Sequence, residues 1–167
     1  MSSSFILKNL PTRAELEKLR VRFPGMDVGA VEVFLALMRL AADLSEETDA
    51  LLRPRGLSQG ALSVLFQISR SAAGGVAPSE LAEAIGVARP TISGLLDGLG
   101  RRRLVQRAGA ADRRSVLVSL TPAGRRLVAA VMPGRLRWIA AVVEPLSGRE
   151  RASLLALLRK LPAGARR

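Results

Sequence analysis

A mostly α-helical chain carrying one small β-hairpin is the fold class this sequence predicts, and three observations predict it. Apolar residues recur at helical spacing through most segments, the spacing changes once, near 104–120, to the two-residue alternation of strands, and Pro, Gly and Ser/Thr/Asp punctuate the segment ends. A length of 167 residues suits one buried core. The chain is therefore read as a single domain of three segments: N-terminal helices over 1–56, a central lobe over 57–121 and C-terminal helices over 122–167.

Residues 11–22 place Leu16 and Leu19 at helical spacing behind Pro11, which suits a helix start. Phe23-Pro24-Gly25 breaks that helix, and Asp27 is placed to cap a second, long one. In it Val28, Val31, Leu35, Met38 and Ala42 follow a 3,4 spacing, with Phe34, Leu37, Ala41 and Leu44 beside them, until Arg53-Pro54 stops the run near Leu52. Ser58 suits the cap of a helix over 58–71, and Leu57 suits a hydrophobic staple on Leu62. Gly74-Gly75 ends that unit, and Pro78 opens a short helix whose Leu81, Ala82 and Ile85 face inward until Gly86. Pro90 opens the next, with Ile92, Leu95, Leu96 and Leu99 as its inward stripe. Two short helices thus meet at a Gly-containing turn, the signature of a helix-turn-helix.

Leu104–Arg107 and Ser115–Leu120 then read as the strands of a hairpin. Thr121-Pro122 caps and starts a long helix to about Glu144, whose apolar face includes Leu127, Val131, Leu136, Ile139 and Val143, with a kink expected at Pro133-Gly134. Ser147-Gly148-Arg149-Glu150 is a capping box, and the closing helix is expected to bury Leu154, Leu155, Leu158 and Leu161.

The composition removes several functions. With no Cys and no His, thiolate chemistry, thiol sensing, disulfides and the commonest metal ligand and general base are gone. No catalytic residue, cofactor or metal is expected, because no two acids sit in a recognisable catalytic motif, and the reading is not an enzyme. No apolar run approaches the ~18 residues of a membrane span, and MSSSFILKNLPTRAE lacks a basic stretch ahead of a long apolar one, so the expected location is cytoplasmic, away from membranes.

The net charge of +12 is segregated. Residues 1–52 hold six basic and eight acidic side chains, whereas residues 89–126 hold nine arginines against Asp97 and Asp112, the electrostatic footprint of a polyphosphate-binding surface. A plainer source exists: arginine outnumbers lysine 23 to 3, as a GC-rich coding bias would produce. That bias does not explain why the first third is acidic.

The stretch PSELAEAIGVARPTISGLLDGLGRRRLVQR, followed by DRRSVLVSLTPAGRRL, resembles the DNA-binding lobe of the MarR (multiple antibiotic resistance regulator) family of bacterial transcription factors. The helix pair, the Leu-Val opening of the hairpin, Asp112-Arg113-Arg114 and the Leu120-Thr121 junction fall in the family's order over residues 57–128, and the flanking helices match by pattern. The resemblance implies a winged helix-turn-helix flanked by N- and C-terminal dimerisation helices. It also implies a homodimer that sets two recognition helices in successive major grooves of double-stranded DNA. A dimer agrees with the physics, since one short helix offers few base contacts and a two-fold pair doubles them on a pseudo-palindrome. The leucine faces at 154–161 and 16–19 fit such an interface, or packing within one chain.

With the Ile92 stripe inward, Arg89, Pro90, Thr91, Gly94, Asp97, Gly98 and Arg101 point outward. Arg89 suits a bidentate contact to guanine, Thr91 a thymine methyl or a hydrogen bond, and Ser93 a phosphate, while Pro90 is more simply a helix starter. Gly94, Gly98 and Gly100 stand where the family usually has polar or basic side chains. Each weakens the helix, and Gly94 either lets the backbone approach the groove or removes a reading side chain. The resemblance assigns Arg114 to the minor groove, Asp112 to holding its guanidinium and Arg113 to phosphate. Arg101, Arg102, Arg103 and Arg107 read as phosphate clamps or as solubilising charge. An ordinary solvated helix face and a self-capped turn are the plainer readings of both groups.

Family members commonly respond to small molecules, and Met38, Leu62, Phe66, Met132 and Trp138 with Arg39 form the set that would line an effector site here, if they are not simply core. The expected function is that of a sequence-specific transcriptional regulator, a repressor released by an effector. The competing reading is a winged-helix adaptor for a protein partner or for polyanions in general.

Overall fold

A computed structural model describes residues 9–71, 75–109 and 116–161, which fall into two compact units, residues 1–59 and 60–167. The division lies three residues beyond the 56/57 boundary expected from sequence, and the C-terminal helices share the second unit with the lobe.

In the first unit, helix α1 (Arg13–Arg22) is started by Thr12 rather than by Pro11. The Thr12 hydroxyl accepts from the Glu15 N–H at 3.3 Å, and the Glu15 carboxylate accepts from the Thr12 N–H at 2.7 Å, so two otherwise unpaired donors are satisfied. Leu16 is buried and Leu19 exposed, so one of the two leucines finds cover within the chain. Helix α2 (Val28–Leu52) begins where Asp27 Oδ1 accepts from the Ala30 N–H at 2.9 Å, and Arg13 reaches Glu32 across the two helices at 3.1 Å. A single 3-10 turn, Arg53–Arg55, follows, closed by Gly56 at φ 60, a conformation that favours glycine. The broad apolar face expected of α2 is buried only at its ends, by Val28 and Leu52, while Phe34, Met38 and Leu40 stay exposed.

The second unit is built on α3 (Gln59–Ser69), α4 (Pro78–Ile85) and α5 (Arg89–Arg101). Leu62, Val64, Leu65 and Ile68 of α3, Leu81 and Ala82 of α4, and Ile92, Leu96 and Leu99 of α5 are all buried. Gly86, at φ 75, donates its N–H to the Ala82 carbonyl at 2.9 Å, which ends α4 and lets the chain turn into α5. Leu95, half-buried rather than fully inward, lies so near Gly60 that a Cβ there would come within 3.3 Å of Leu95 Cδ1.

Strands β1 (Val105–Gly109) and β2 (Val116–Leu120) pair antiparallel in the register Val105↔Leu120, Gln106↔Ser119, Arg107↔Val118. The first strand thus starts one residue later than expected and runs two further. Val118 also exchanges both backbone hydrogen bonds with Val76 at 2.9 Å, a second line of pairing on the other edge of β2. A one-residue bridge has no period, and the sequence reading did not contain it.

Helix α6 (Pro122–Val143) is anchored at its first turn. Thr121 Oγ1 donates to the Arg103 carbonyl at 2.7 Å and accepts from the Gly124 N–H at 3.0 Å, while the Thr121 N–H donates to the Leu104 carbonyl at 3.1 Å. The helix continues unbroken through Pro133 and Gly134. It buries Val128 and Val131, but Leu136 and Ile139 are exposed. Helix α7 (Gly148–Leu158) has the expected capping box between Ser147 and Glu150. Its leucines are not buried: Leu154, Leu155, Leu157 and Leu158 are 42–59% exposed in the chain by itself, and Leu161 is exposed as well. Periodicity identifies an apolar face; it does not say what covers it.

Candidate nucleic-acid interface

The buried stripe Ile92, Leu96 and Leu99 fixes which side of α5 faces solvent. Arg89, Pro90, Thr91, Ser93 and Gly94 are all exposed over its first two turns, and Arg101 is exposed at its end. Ala88, at the N-cap position, offers no side-chain acceptor to the first-turn N–H groups. Pro90 carries no N–H and the Thr91 N–H already donates to the Ala88 carbonyl at 3.0 Å, so the side chains of Arg89, Thr91 and Ser93 are what this end offers to phosphate or base acceptors.

The three glycines of α5 have no packing reason within the chain. A Cβ at Gly94 or Gly100 would meet nothing within 4 Å, and one at Gly98 would meet only Arg101 Nη2, at 3.9 Å. The first two turns therefore carry the side chains able to read bases, and the later turns present little besides Asp97 and Arg101.

The remaining arginines separate by environment. Arg103 adopts φ 55, unusual for a residue with a side chain, at the corner where its carbonyl takes the Thr121 hydroxyl. Arg107, which reads from sequence as a phosphate clamp or solubilising charge, donates through Nη2 to Asp97 Oδ1 at 2.8 Å, joining β1 to α5. Asp97 was missed as a partner because ten residues separate it from Arg107, although it is the one acid between Glu83 and Asp112. Asp112, Arg113 and Arg114 lie outside the described residues.

The six residues expected around an effector are divided between the units. Met38 and Arg39 belong to the first, where Arg39 is bound to Asp43 on the next turn of α2. In the second, Leu62 is core, the Arg70 guanidinium stands 5.9 Å from the Phe66 ring centre, Arg135 stacks on Trp138 at 4.7 Å, and Met132 is half-buried. None of these four lines the cleft of about 480 Å3 in that unit, which is bounded by Ile68, Ser69 and Ser71 of the α3 end, Gln106 and Ser119 of the hairpin, and Arg125 and Val128 of α6. Among the described residues no cluster of three or more Asp or Glu is placed to hold a metal, and no helix is long and apolar enough to cross a membrane.

Comparison with known proteins meets this geometry at its centre. Residues 54–115, which include α3, α4, α5 and β1, match the model of the MarR family. The transcriptional repressor YetL of Bacillus subtilis is 30% identical over 153 residues, which cover 91% of this chain and 92% of YetL. This chain belongs to the MarR family. Its winged helix is shared with the DNA complex of S. aureus MepR, at a TM-score of 0.70 and 23% identity over 75% of this chain and 91% of MepR. It is shared also with BpsR of Bordetella bronchiseptica, at 0.67 and 27% identity over 77% and 97% of the two chains; the DNA binding of BpsR is regulated by 6-hydroxynicotinic acid. In MarR terms α4 and α5 are the helix-turn-helix, α5 is the recognition helix, and β1 and β2 are the strands of the wing.

Proposed function

We propose that this MarR protein is a sequence-specific DNA-binding transcriptional repressor that occupies a pseudo-palindromic operator as a homodimer in the cytoplasm. One observation carries the reading: α5 buries Ile92, Leu96 and Leu99 and leaves Arg89, Thr91 and Ser93 exposed at a helix start, in a segment dense in arginine. Arg89 reads guanine through its two-pronged guanidinium, Thr91 and Ser93 contact a base edge and a phosphate, and the short backbone-only surface at Gly94 lets the helix sit close. Arg101 and Arg103 lie near phosphates. Asp112, Arg113 and Arg114 keep the wing roles that the resemblance gives them.

The homodimer is supported by the exposed leucines of α7, an apolar face on a chain that must stay soluble. Occupying a promoter represses it with no further machinery, and YetL is a repressor. Release by a small molecule extends the behaviour of BpsR to this chain. The cleft beside Arg125 has the volume and polar lining for such a molecule, and a shift in unfolding temperature with aromatic acids tests it.

Selection of bound sequences from random duplex DNA is the deciding experiment. The expected result is an inverted repeat with half-sites about 10–10.5 base pairs apart, preferred about 10³-fold or more over random duplex at fixed salt. The glycines of α5 favour one competing reading, a binder of polyanions without base preference, and equal affinity for all duplexes would establish it.

A further inference from the structure

Asp97 places a negative charge in the middle of the recognition helix, where by charge alone it opposes a polyanion. Its position makes sense through Arg107. The 2.8 Å bond between Asp97 Oδ1 and Arg107 Nη2 links the middle of α5 to the third residue of β1. Both side chains are 56% exposed, so the attraction is screened and adds little to global stability.

What the bond adds is direction. Backbone hydrogen bonds already close the corner between α5 and β1, from Arg103 N–H to Gly100 O at 2.8 Å and from Leu104 N–H to Leu99 O at 3.0 Å. These fix where the strand begins. Arg107 lies three residues further on, roughly 10 Å along an extended chain. Between the two elements there is a shallow hollow bounded by Leu96, Asp97, Gly100, Arg101, Val105 and Arg107, with no side chain at Gly100 to fill it. The ion pair spans this hollow. Arg107 is also the register partner of Val118, which is bonded to Val76 on its other edge, so holding Arg107 ties the paired strands β1 and β2 and the bridge beside them to α5.

We propose that Asp97 is a positioning residue: by fixing Arg107 it sets the pitch of the β-hairpin against the recognition helix, and so the separation at which the two meet a duplex. The inference rests on the DNA-binding reading above. It replaces the expectation that Arg107 clamps phosphate.

The full-length protein is titrated, at one salt concentration, into two labelled duplexes, the selected sequence and a scrambled version of it. A wild-type protein that binds both equally overturns the DNA-binding reading itself, before any variant is made. Given a preference, Asp97→Asn is expected to weaken binding to the selected duplex about three- to ten-fold, the scale of one or two exposed ion pairs per assembly. Binding to the scrambled duplex stays equal or tightens, because a negative charge has gone, and the unfolding midpoint stays within error of wild type. The exchange variant, Asp97→Arg with Arg107→Asp, keeps the net charge and the pair, and is expected to recover most of the lost preference. If Asp97→Asn tightens both duplexes alike, Asp97 is only a repelling charge and the proposal is overturned. It is overturned equally if the exchange variant discriminates no better than Asp97→Asn, since the cation at 107 would then be touching DNA itself.

Discussion

Gly124 lies against the carbonyl oxygen of Leu104 so closely that a Cβ at that position would overlap it. The first turn of α6 is thereby seated directly on the chain entering β1, beside the Thr121 hydroxyl that accepts from Gly124 and donates to Arg103. Gly124→Ala is expected to cost about 1–3 kcal/mol, because backbone rather than a pliable side chain must move. Urea unfolding measures it, and a variant as stable as wild type would mean that the helix does not sit on Leu104.

Gly94 is the opposite case. Its Cβ position is open, so Gly94→Ala removes only the conformational freedom of glycine in a helix and is expected to stabilise the free protein by about 0.8–1 kcal/mol. The same urea titration checks the sign. Weaker binding to the selected duplex by this more stable variant would show the helix backbone lying close in the groove.

Arg89→Ala is expected to cost about 1–3 kcal/mol on the selected duplex and to relax discrimination at one base pair per half-site. Competition with single-substituted duplexes is the measurement. A loss equal on every sequence would reassign Arg89 to phosphate.

Leu154→Glu combined with Leu158→Glu places two charges on the exposed face of α7. Neither leucine is covered within the chain, so the fold is expected to survive while the assembly falls to the mass of one chain by light scattering. A dimer that persists would move the interface to another face.

The two capping boxes carry an acid dependence. The Thr12 N–H, followed by the Thr12 hydroxyl, holds the Glu15 carboxyl below the ordinary value of 4.5, and the Ser147 hydroxyl, followed by the Ser147 N–H, does the same for Glu150. A lowered carboxyl pKa contributes stability that is present above 4.5 and is lost as pH falls through the lowered value. Helical circular dichroism is therefore expected to decline below 4.5 as α1 and α7 fray, and Glu15→Gln with Glu150→Gln is expected to flatten that part of the profile. An unchanged profile would mean that these caps are not formed in solution.

What the chain alone determined is local. Asp27, Thr121 and the Ser147/Glu150 box start helices, Gly86 ends one, and the stripe Ile92, Leu96 and Leu99 orients the recognition helix, because capping, glycine conformation and helical period act over a few residues. The exposed start of that helix, with Arg89, Thr91 and Ser93, was legible for the same reason. Tertiary structure decided the rest. The Val76–Val118 bridge joined two segments with no shared pattern, and Arg107 found Asp97 across ten residues of chain. It also left the α7 leucines uncovered where a periodic sequence promised burial. Periodicity records which residues avoid water, whereas partners distant in sequence are chosen by how the folded elements meet.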